Sequence, residues 1–337
     1  MERITVIGGS GAVGREVCAA LLRLHPGEVV AVGRAAAKLG TVPGVRALRA
    51  DIGRDDGLAC ALDGTDAVVM CTEQDGDRVA RACLGRGIGY LDVSASAPRL
   101  RAVAALDGLA RERGATAVLS VGLAPGVTNL LARSVTDAGG GGPIRIGVLV
   151  GAGERHGAGA LDWILDSMEQ AGAPTRIRFP PPYGLRTAYR FPFSDQYTLP
   201  ETLGAPAAET GLCLDTRALT PLLGAARRPF AARLLRRPRV RAAARRALLR
   251  VHAGGDGFAA TAARGQVTAW FSGRSQSRAS GVAAALAAGR LPGLAPGVHH
   301  IEQAVDPVGF LTELAAHGFV LGLPEEVVPP GPHYDAQ

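Results

Sequence analysis

Apolar and polar positions follow two periods along the first third of the chain. Short apolar runs at Ile4 to Ile7, Val29 to Val32, Val45 to Leu48, Ala67 to Met70, Tyr90 to Val93 and Ala117 to Val121 predict strands. Between them lie Ala-, Leu- and Arg-rich stretches with helical spacing, in which Val13, Val17, Ala20 and Leu21 recur as one buried helix face. Strands alternating with helices of this length predict βαβ units, and so an α/β fold with a Rossmann-type, doubly wound parallel sheet. The pattern changes near Pro125-Gly126. "PIRIGVLVGAGERHGAGALDWILDSM" reads as a strand, a glycine turn and a helix. After it, proline-broken alternating runs such as "TRIRFPPPYGLRTAYRFPF" suit antiparallel strands. "SGVAAALAAGRL" and "GVHHIEQAVDPVGFLTELAAHGFVL" read as helices, with a capping break at Asp306-Pro307. The expected division is a first domain over 1–125, an α+β substrate and dimerisation domain with mostly antiparallel strands over 126–295, and a helical return over 296–337 packing on the first domain.

Size and composition agree with two domains. A chain of 337 residues with 47% hydrophobic content can bury a sizeable core. Its apolar runs are short and broken by Gly, Arg or Asp, so no membrane span is expected. Met1-Glu2-Arg3 leads straight into an apolar run, leaving no room for a signal sequence, and a cytoplasmic protein is expected. Cys18, Cys60, Cys71, Cys83 and Cys213 show neither a CxxC nor a metal-ligand spacing. Buried, reduced thiols and no metal are the expectation.

The formal charge of +7 is local. Residues 225–250 carry ten arginines and no acid, and the remainder holds 27 basic against 30 acidic residues. With Phe230 as its lone aromatic, this stretch lacks the stacking groups of a nucleic-acid binder. Pro229 and Pro238 must divide it into at least two helical pieces, with Leu234, Leu235, Leu248 and Leu249 on or near an apolar stripe. It reads as a solvated excursion, a lid, or a dock for an acidic partner such as a carrier protein or an anionic membrane surface.

"VIGGSGAVGREV" is the first motif that carries chemistry. It follows a predicted strand and opens a predicted helix, the context in which a glycine loop binds a dinucleotide. Gly8 allows the tight turn, Gly11 lets backbone approach a pyrophosphate, and Gly14 lets helix and sheet pack closely. Gly9/Gly11/Gly14 is an equally good register. Ser10, Ala12 and Val13 complete the loop, and the helix N-terminus offers free N–H groups to phosphate. An acid at the end of the second strand would accept from the ribose 2′-OH of NAD; here that position holds Arg34, which suits the 2′-phosphate of NADP. Lys38 follows one turn later. Asp51 and Ile52 after the third strand are expected near the adenine, and Cys71 and Thr72 after the fourth near the nicotinamide.

Taken in order, "GGSGAVGREVCAALL", "AVGRAAAKL", "DAVVMCT", "GIGYLDVSA" and "SVGLAPGVTNLLAR" resemble the saccharopine dehydrogenase-like oxidoreductases. The resemblance covers about the first 135 residues. It implies an NAD(P)-binding domain joined to a substrate domain, with hydride chemistry at carbon joined to nitrogen in the best-known members. The spacing of Gly8, Gly11 and Gly14 is closer to members similar to trans-acting enoyl reductases, which reduce a C=C bond. A non-catalytic NADP-binding sensor is the alternative from another class. A small-molecule substrate and a homodimer are expected.

Reduction of an imine or enone also needs a proton, so a general acid is expected near the nicotinamide. "GAGERHGAGALDW" offers Glu154 and His156 in a glycine-rich turn, and "YRFPFSDQYTLP" offers Asp195, Gln196 and Tyr197. His156 is the first candidate for proton donor and Asp195 the second. Glu154, Tyr183, Arg186, Gln196 and Tyr197 are candidates for holding the substrate.

Overall fold

The computed structural model describes residues 1–35, 39–72, 76–154, 158–226, 229–235, 237–250 and 254–324. The first third alternates as the hydrophobic pattern requires. It runs β1 (Arg3–Ile7), α1 (Ala12–Leu24), β2 (Glu28–Gly33), β3 (Arg46–Arg49), α2 (Asp55–Leu62), β4 (Ala67–Met70) and α3 (Arg78–Leu84). β5 (Gly89–Asp92), α4 (Ala97–Ala104), α5 (Asp107–Glu112) and β6 (Thr116–Leu119) complete it. Val17, Ala20 and Leu21 of the expected helix face are buried in α1, and Val13 packs against the same core.

The middle of the chain is built from α6 (Val127–Asp137), β7 (Ile144–Val150), α7 (Ala158–Ser167), β8 (Pro174–Phe179), β9 (Gly184–Arg190), α8 (Asp195–Leu203) and β10 (Ala208–Leu214). The arginine-rich stretch forms α9 (Thr220–Ala226), α10 (Pro229–Leu235) and α11 (Pro238–Arg250). Pro229 and Pro238 each open a helix, where a missing N–H costs nothing. Leu234, expected on or near an apolar stripe, is instead exposed. The side chains of Leu248 and Leu249 lie outside the described residues. β11 (Gly257–Arg264), β12 (Val267–Arg274) and α12 (Gln276–Arg290) follow, then β13 (Gly297–His300), α13 (Ile301–Ala304), α14 (Pro307–Ala315) and β14 (Val320–Gly322).

Two seven-stranded sheets result. The first, in the order β13-β6-β5-β4-β1-β2-β3, is parallel throughout. The second, β14-β12-β11-β7-β10-β9-β8, is antiparallel except for the β7–β10 pair. The C-terminal segment, expected to be helical, thus contributes one edge strand to each sheet. Runs as short as "GVHH" and "VLG" carry no period of their own, and only pairing with β6 and β12 makes them strands. Asp306 caps α14 as expected, its carboxylate accepting from the Gly309 N–H at 2.6 Å.

α12 lies between the layers, touching α1, β4 and β5 on one side and β12 and α14 on the other. It is buried on all sides from Ala279 to Ala288, which is why its sequence shows no amphipathic stripe. Its small residues set the spacing. A Cβ at Gly281 would sit 2.6 Å from the backbone of Glu16 in α1, and the His25 ring closes the pair by a 2.9 Å contact from Nε2 to the Ala285 carbonyl. Aromatic triads fill the second layer on either flank, Trp163 with Phe191 and Phe193, and Phe258 with Phe271 and Phe319. Burial pushes the Cys18, Cys83 and Cys213 thiols up to about 12. Cys60, by contrast, is exposed.

Gly281→Ala should therefore overpack the α1–α12 contact at a cost of about 1–3 kcal/mol. The expected outcome is a thermal unfolding midpoint several degrees lower; a midpoint within a degree of the parent would show that the two helices separate freely.

Candidate nucleotide and substrate site

The carboxyl ends of the first sheet form one edge, and the loops leaving β1, β2, β4, β5 and β6 gather there. Each glycine of the first loop is required for a different reason. Gly8 has φ +84°, and its Cβ would lie 2.9 Å from the Cys71 carbonyl after β4. A Cβ on Gly9 would strike the Ala31 side chain at 2.7 Å, and one on Gly14 would stand 2.2 Å from the Gly8 carbonyl. Gly11, the N-cap of α1, meets only the Gly8 carbonyl, at 3.2 Å, and has no side chain to close the helix end. The loop is a cradle that a Cβ would fill, opening onto unblocked N–H groups of Ala12, Val13 and Gly14, and it fits a pyrophosphate. Arg15 braces it by donating to the Ser10 carbonyl at 2.8 Å.

At the end of β2, Arg34 is exposed and forms no ion pair with any described residue. The register of β2 with β3 sets Gly33 opposite Arg49, so a second exposed arginine flanks the same corner. Arg49 was missed in the sequence because the apolar run ends at Leu48, whereas the strand continues one residue further. Asp51 is exposed and accepts from the Gly53 N–H at 3.0 Å, while the Ile52 carbonyl accepts from Arg78. Lys38 lies outside the described residues.

The loops after β4 and β5 are fixed by a buried ion pair. Arg99, 4% exposed, lies 3.2 Å from the Asp92 carboxylate and donates to the Thr72 carbonyl at 2.9 Å. Tyr90 and the Ser94 N–H donate to the same carboxylate, at 2.7 and 2.8 Å. This holds Cys71 and Thr72 beside Gly8. The β6 loop is equally constrained. Ser120 has φ +60°, and Gly122 and Gly126 approach so closely that a Cβ on Gly126 would lie 2.0 Å from the Gly122 carbonyl.

Beneath the β6 loop, two buried carboxylates join four elements. Asp195 opens α8 and is fully buried; it accepts from Thr210 of β10 at 2.6 Å and from Thr128 of α6 at 3.1 Å. Glu302 of α13, 1% exposed, accepts from Asn129 of α6 at 3.0 Å and from Thr202 of α8 at 2.8 Å. Burial raises the Asp195 carboxyl to about 6 against the pull of its hydroxyl donors. The structure thus places Asp195 in an internal joint with no solvent-exposed surface, where it cannot meet a substrate directly. His300, which sequence reading passed over inside an expected helix, ends β13 at the carboxyl edge. It is half-buried, with Nδ1 3.1 Å from the Ser120 hydroxyl. Burial holds its imidazolium down, while Glu302 and Glu201 pull the other way.

The other expected substrate groups are dispersed. Glu154 caps α12, its carboxylate accepting from the N–H groups of Gln276 and Ser277 at 2.8 and 2.9 Å. Arg186 is buried and donates to the carbonyls of Leu214 and Asp215, each at 2.7 Å. Tyr183 is partly buried, and desolvation, helped by the nearby Asp215 and Asp256 carboxylates, raises its phenol. Gln196 bonds the Phe191 carbonyl and accepts from Arg190 at 3.3 Å. Tyr197 faces the first domain, with Arg101 of α4 stacked 5.3 Å from its ring centre. His156 lies outside the described residues.

Residues 8–137, which include this edge's β1, β2, β4, β5 and β6, match the NAD(P)H-binding family profile. The whole chain has the fold of saccharopine dehydrogenase: the L-Glu-forming enzyme from Saccharomyces cerevisiae superposes with a TM-score of 0.63 at 16% identity, covering 96% of this chain and 100% of that one. An amine dehydrogenase from Mycobacterium smegmatis matches at a TM-score of 0.49 and 14% identity, over 90% of this chain and 96% of its own. No curated protein sequence matches. The resemblance read from the sequence is thus borne out in the fold and in the nucleotide domain.

The buried joint makes stability depend on pH. Asp195 titrates near 6 when folded and near its ordinary 3.8 when unfolded. The folded state therefore holds the extra proton between these values. The stabilisation is complete below about pH 4 and is lost as pH rises through about 6, a change on the order of 3 kcal/mol. Asp195→Asn cannot ionise, so its stability relative to the parent should rise across that window. Denaturant midpoints at both ends test this; parallel profiles for the two proteins would show an ordinary carboxyl.

Proposed function

We propose that the protein is an NADPH-dependent oxidoreductase that reduces a C=N bond in a small molecule, in the manner of the saccharopine dehydrogenase-like enzymes its fold resembles. The observation that carries the reading is the pairing of a glycine cradle with an unpaired arginine at the end of β2. The N–H groups at the start of α1 hold the pyrophosphate. Arg34, with Arg49 beside it, takes the 2′-phosphate that an acid there would repel. Asp51 and Ile52 border the adenine, and Cys71 and Thr72 border the nicotinamide.

A bound, reduced nicotinamide supplies a hydride to the substrate carbon. The protein must add a proton at the nitrogen, and a histidine with a pKa of about 6.5 does so near neutral pH. His156, two positions before the first residue of α7 in sequence, is the donor in this reading; His300 is the histidine placed at the carboxyl edge of the first sheet. Tyr197, which faces the first domain, orients the substrate in this reading. The ordered supports leave the site little to reorganise: Asp92 and Arg99 fix the β4 and β5 loops, and the Asp195 and Glu302 joint fixes the β6 loop against the second layer.

A charge-assisted hydrogen bond contributes about 1.5–3 kcal/mol, so NADPH should bind roughly 10- to 100-fold more tightly than NADH. Arg34→Asp should reverse that order, and equal titration curves for the two nucleotides on the parent protein would sink the assignment. NADPH consumption is to be followed with pairs of amines and oxo acids and, in parallel, with enones. Turnover on enones alone would move the reaction to C=C reduction, and none on any compound would favour a sensor. His156→Ala should lower turnover about 10²- to 10⁴-fold with NADPH binding intact. Loss of turnover in His300→Ala but not in His156→Ala would transfer the role to His300.

A further inference from the structure

The arginine-rich excursion has two unlike sides. On one, α11 is tied to α7: Arg241 pairs with Asp166, its Nη2 lying 3.0 Å from Oδ2, and with Asp162 at 3.5 Å, while Arg245 reaches Asp162 at 3.6 Å. Arg241 and Arg245 are four residues apart and share a helix face. Arg239 and Arg246, seven apart, share the opposite one. Both are exposed, as are Arg233 and Arg237, and none of these four forms an ion pair with any described residue. The acids of α7 therefore neutralise the inner face and leave the outer face cationic.

The preceding helix, α10, carries exposed apolar surface of its own. Phe230 is 79% exposed, the most exposed of the large hydrophobic side chains among the described residues, and Leu234 follows one helical turn later at 36%. Both are on α10, with Arg233 beside them. A solvated linker has no use for a protruding ring, and a purely electrostatic contact with an acidic protein does not need one. A ring and a leucine projecting among unpaired arginines match a surface that is anionic and has an apolar layer just beneath it.

We propose that the outer face of α10 and α11 docks on an anionic lipid bilayer. Phe230 and Leu234 enter the headgroup boundary, and Arg233, Arg237, Arg239 and Arg246 contact lipid phosphates. The attachment is peripheral and reversible: among the described residues no helix is long and apolar enough to cross a membrane. It leaves the glycine cradle free, and it stands whether or not the chain is a reductase.

Cosedimentation of the full chain with phosphatidylglycerol–phosphatidylcholine vesicles, and with pure phosphatidylcholine, tests the proposal. Binding is expected to the mixed vesicles only and should weaken as salt is raised. One surface arginine changes partition about fivefold, so Arg239→Ser with Arg246→Ser should lower it by about 25-fold. Phe230→Ser should lower it by about tenfold or more. Both variants should bind NADPH like the parent, which shows that they are folded. Absence of binding to the mixed vesicles, or equal binding to neutral ones, would overturn the proposal. So would a Phe230→Ser protein that binds as well as the parent, since the face would then be a general polyanion surface suited to an acidic protein.

Discussion

The close approach of α12 to α1 is the constraint on which the two-layer arrangement depends. A helix whose buried stretch from Ala279 to Ala288 is alanine, glycine, serine and valine apart from Leu286 fits between a parallel sheet and an antiparallel one because its side chains need little room. Its burial on every side requires that its end be satisfied internally, and Glu154 does this from the turn after β7. A residue in the second layer thus caps the helix that packs on the first. The nucleotide loop at the start of α1 inherits its position from the same contact, since Glu16 and Val17 of α1 touch Gly281.

The functional edge is supported by polar groups that stay out of it. Asp92 and Arg99 are buried together, and the carboxylate takes further hydrogen bonds from Tyr90 and Ser94. A buried pair of this kind contributes little net stability, but removing one partner strands the other charge. Its effect here is geometric, because it fixes the carbonyl of Thr72 next to the glycine cradle. The Asp195 and Glu302 joint acts in the same way on the β6 loop and draws α6, α8, β10 and α13 together with side chains from distant parts of the chain.

Much of this molecule was written in local pattern. The six strands of the first domain, the face of α1 and the glycine loop follow from short-range periodicity and from backbone demands that glycine alone meets. So do the antiparallel β8–β9 pair, the helix breaks at Pro229 and Pro238, and the Asp306 cap. The place of Arg34 was legible too, because it depends only on where one strand ends.

What the tertiary structure decided is which polar groups meet. Glu154, Asp195 and Arg186 look like substrate ligands in a sequence, since a titratable side chain between glycines or prolines signals a functional loop. Their partners, at Gln276, Thr128, Thr210 and Leu214, are up to 122 residues away, and no local pattern announces a hydrogen bond across that distance. The strand that brings His300 to the sheet edge, the register that sets Arg49 beside Gly33, and the opposed faces of α11 are likewise products of packing. Periodicity fixes what each segment becomes on its own, and burial selects which of its charges are satisfied within the protein and which are left for a ligand.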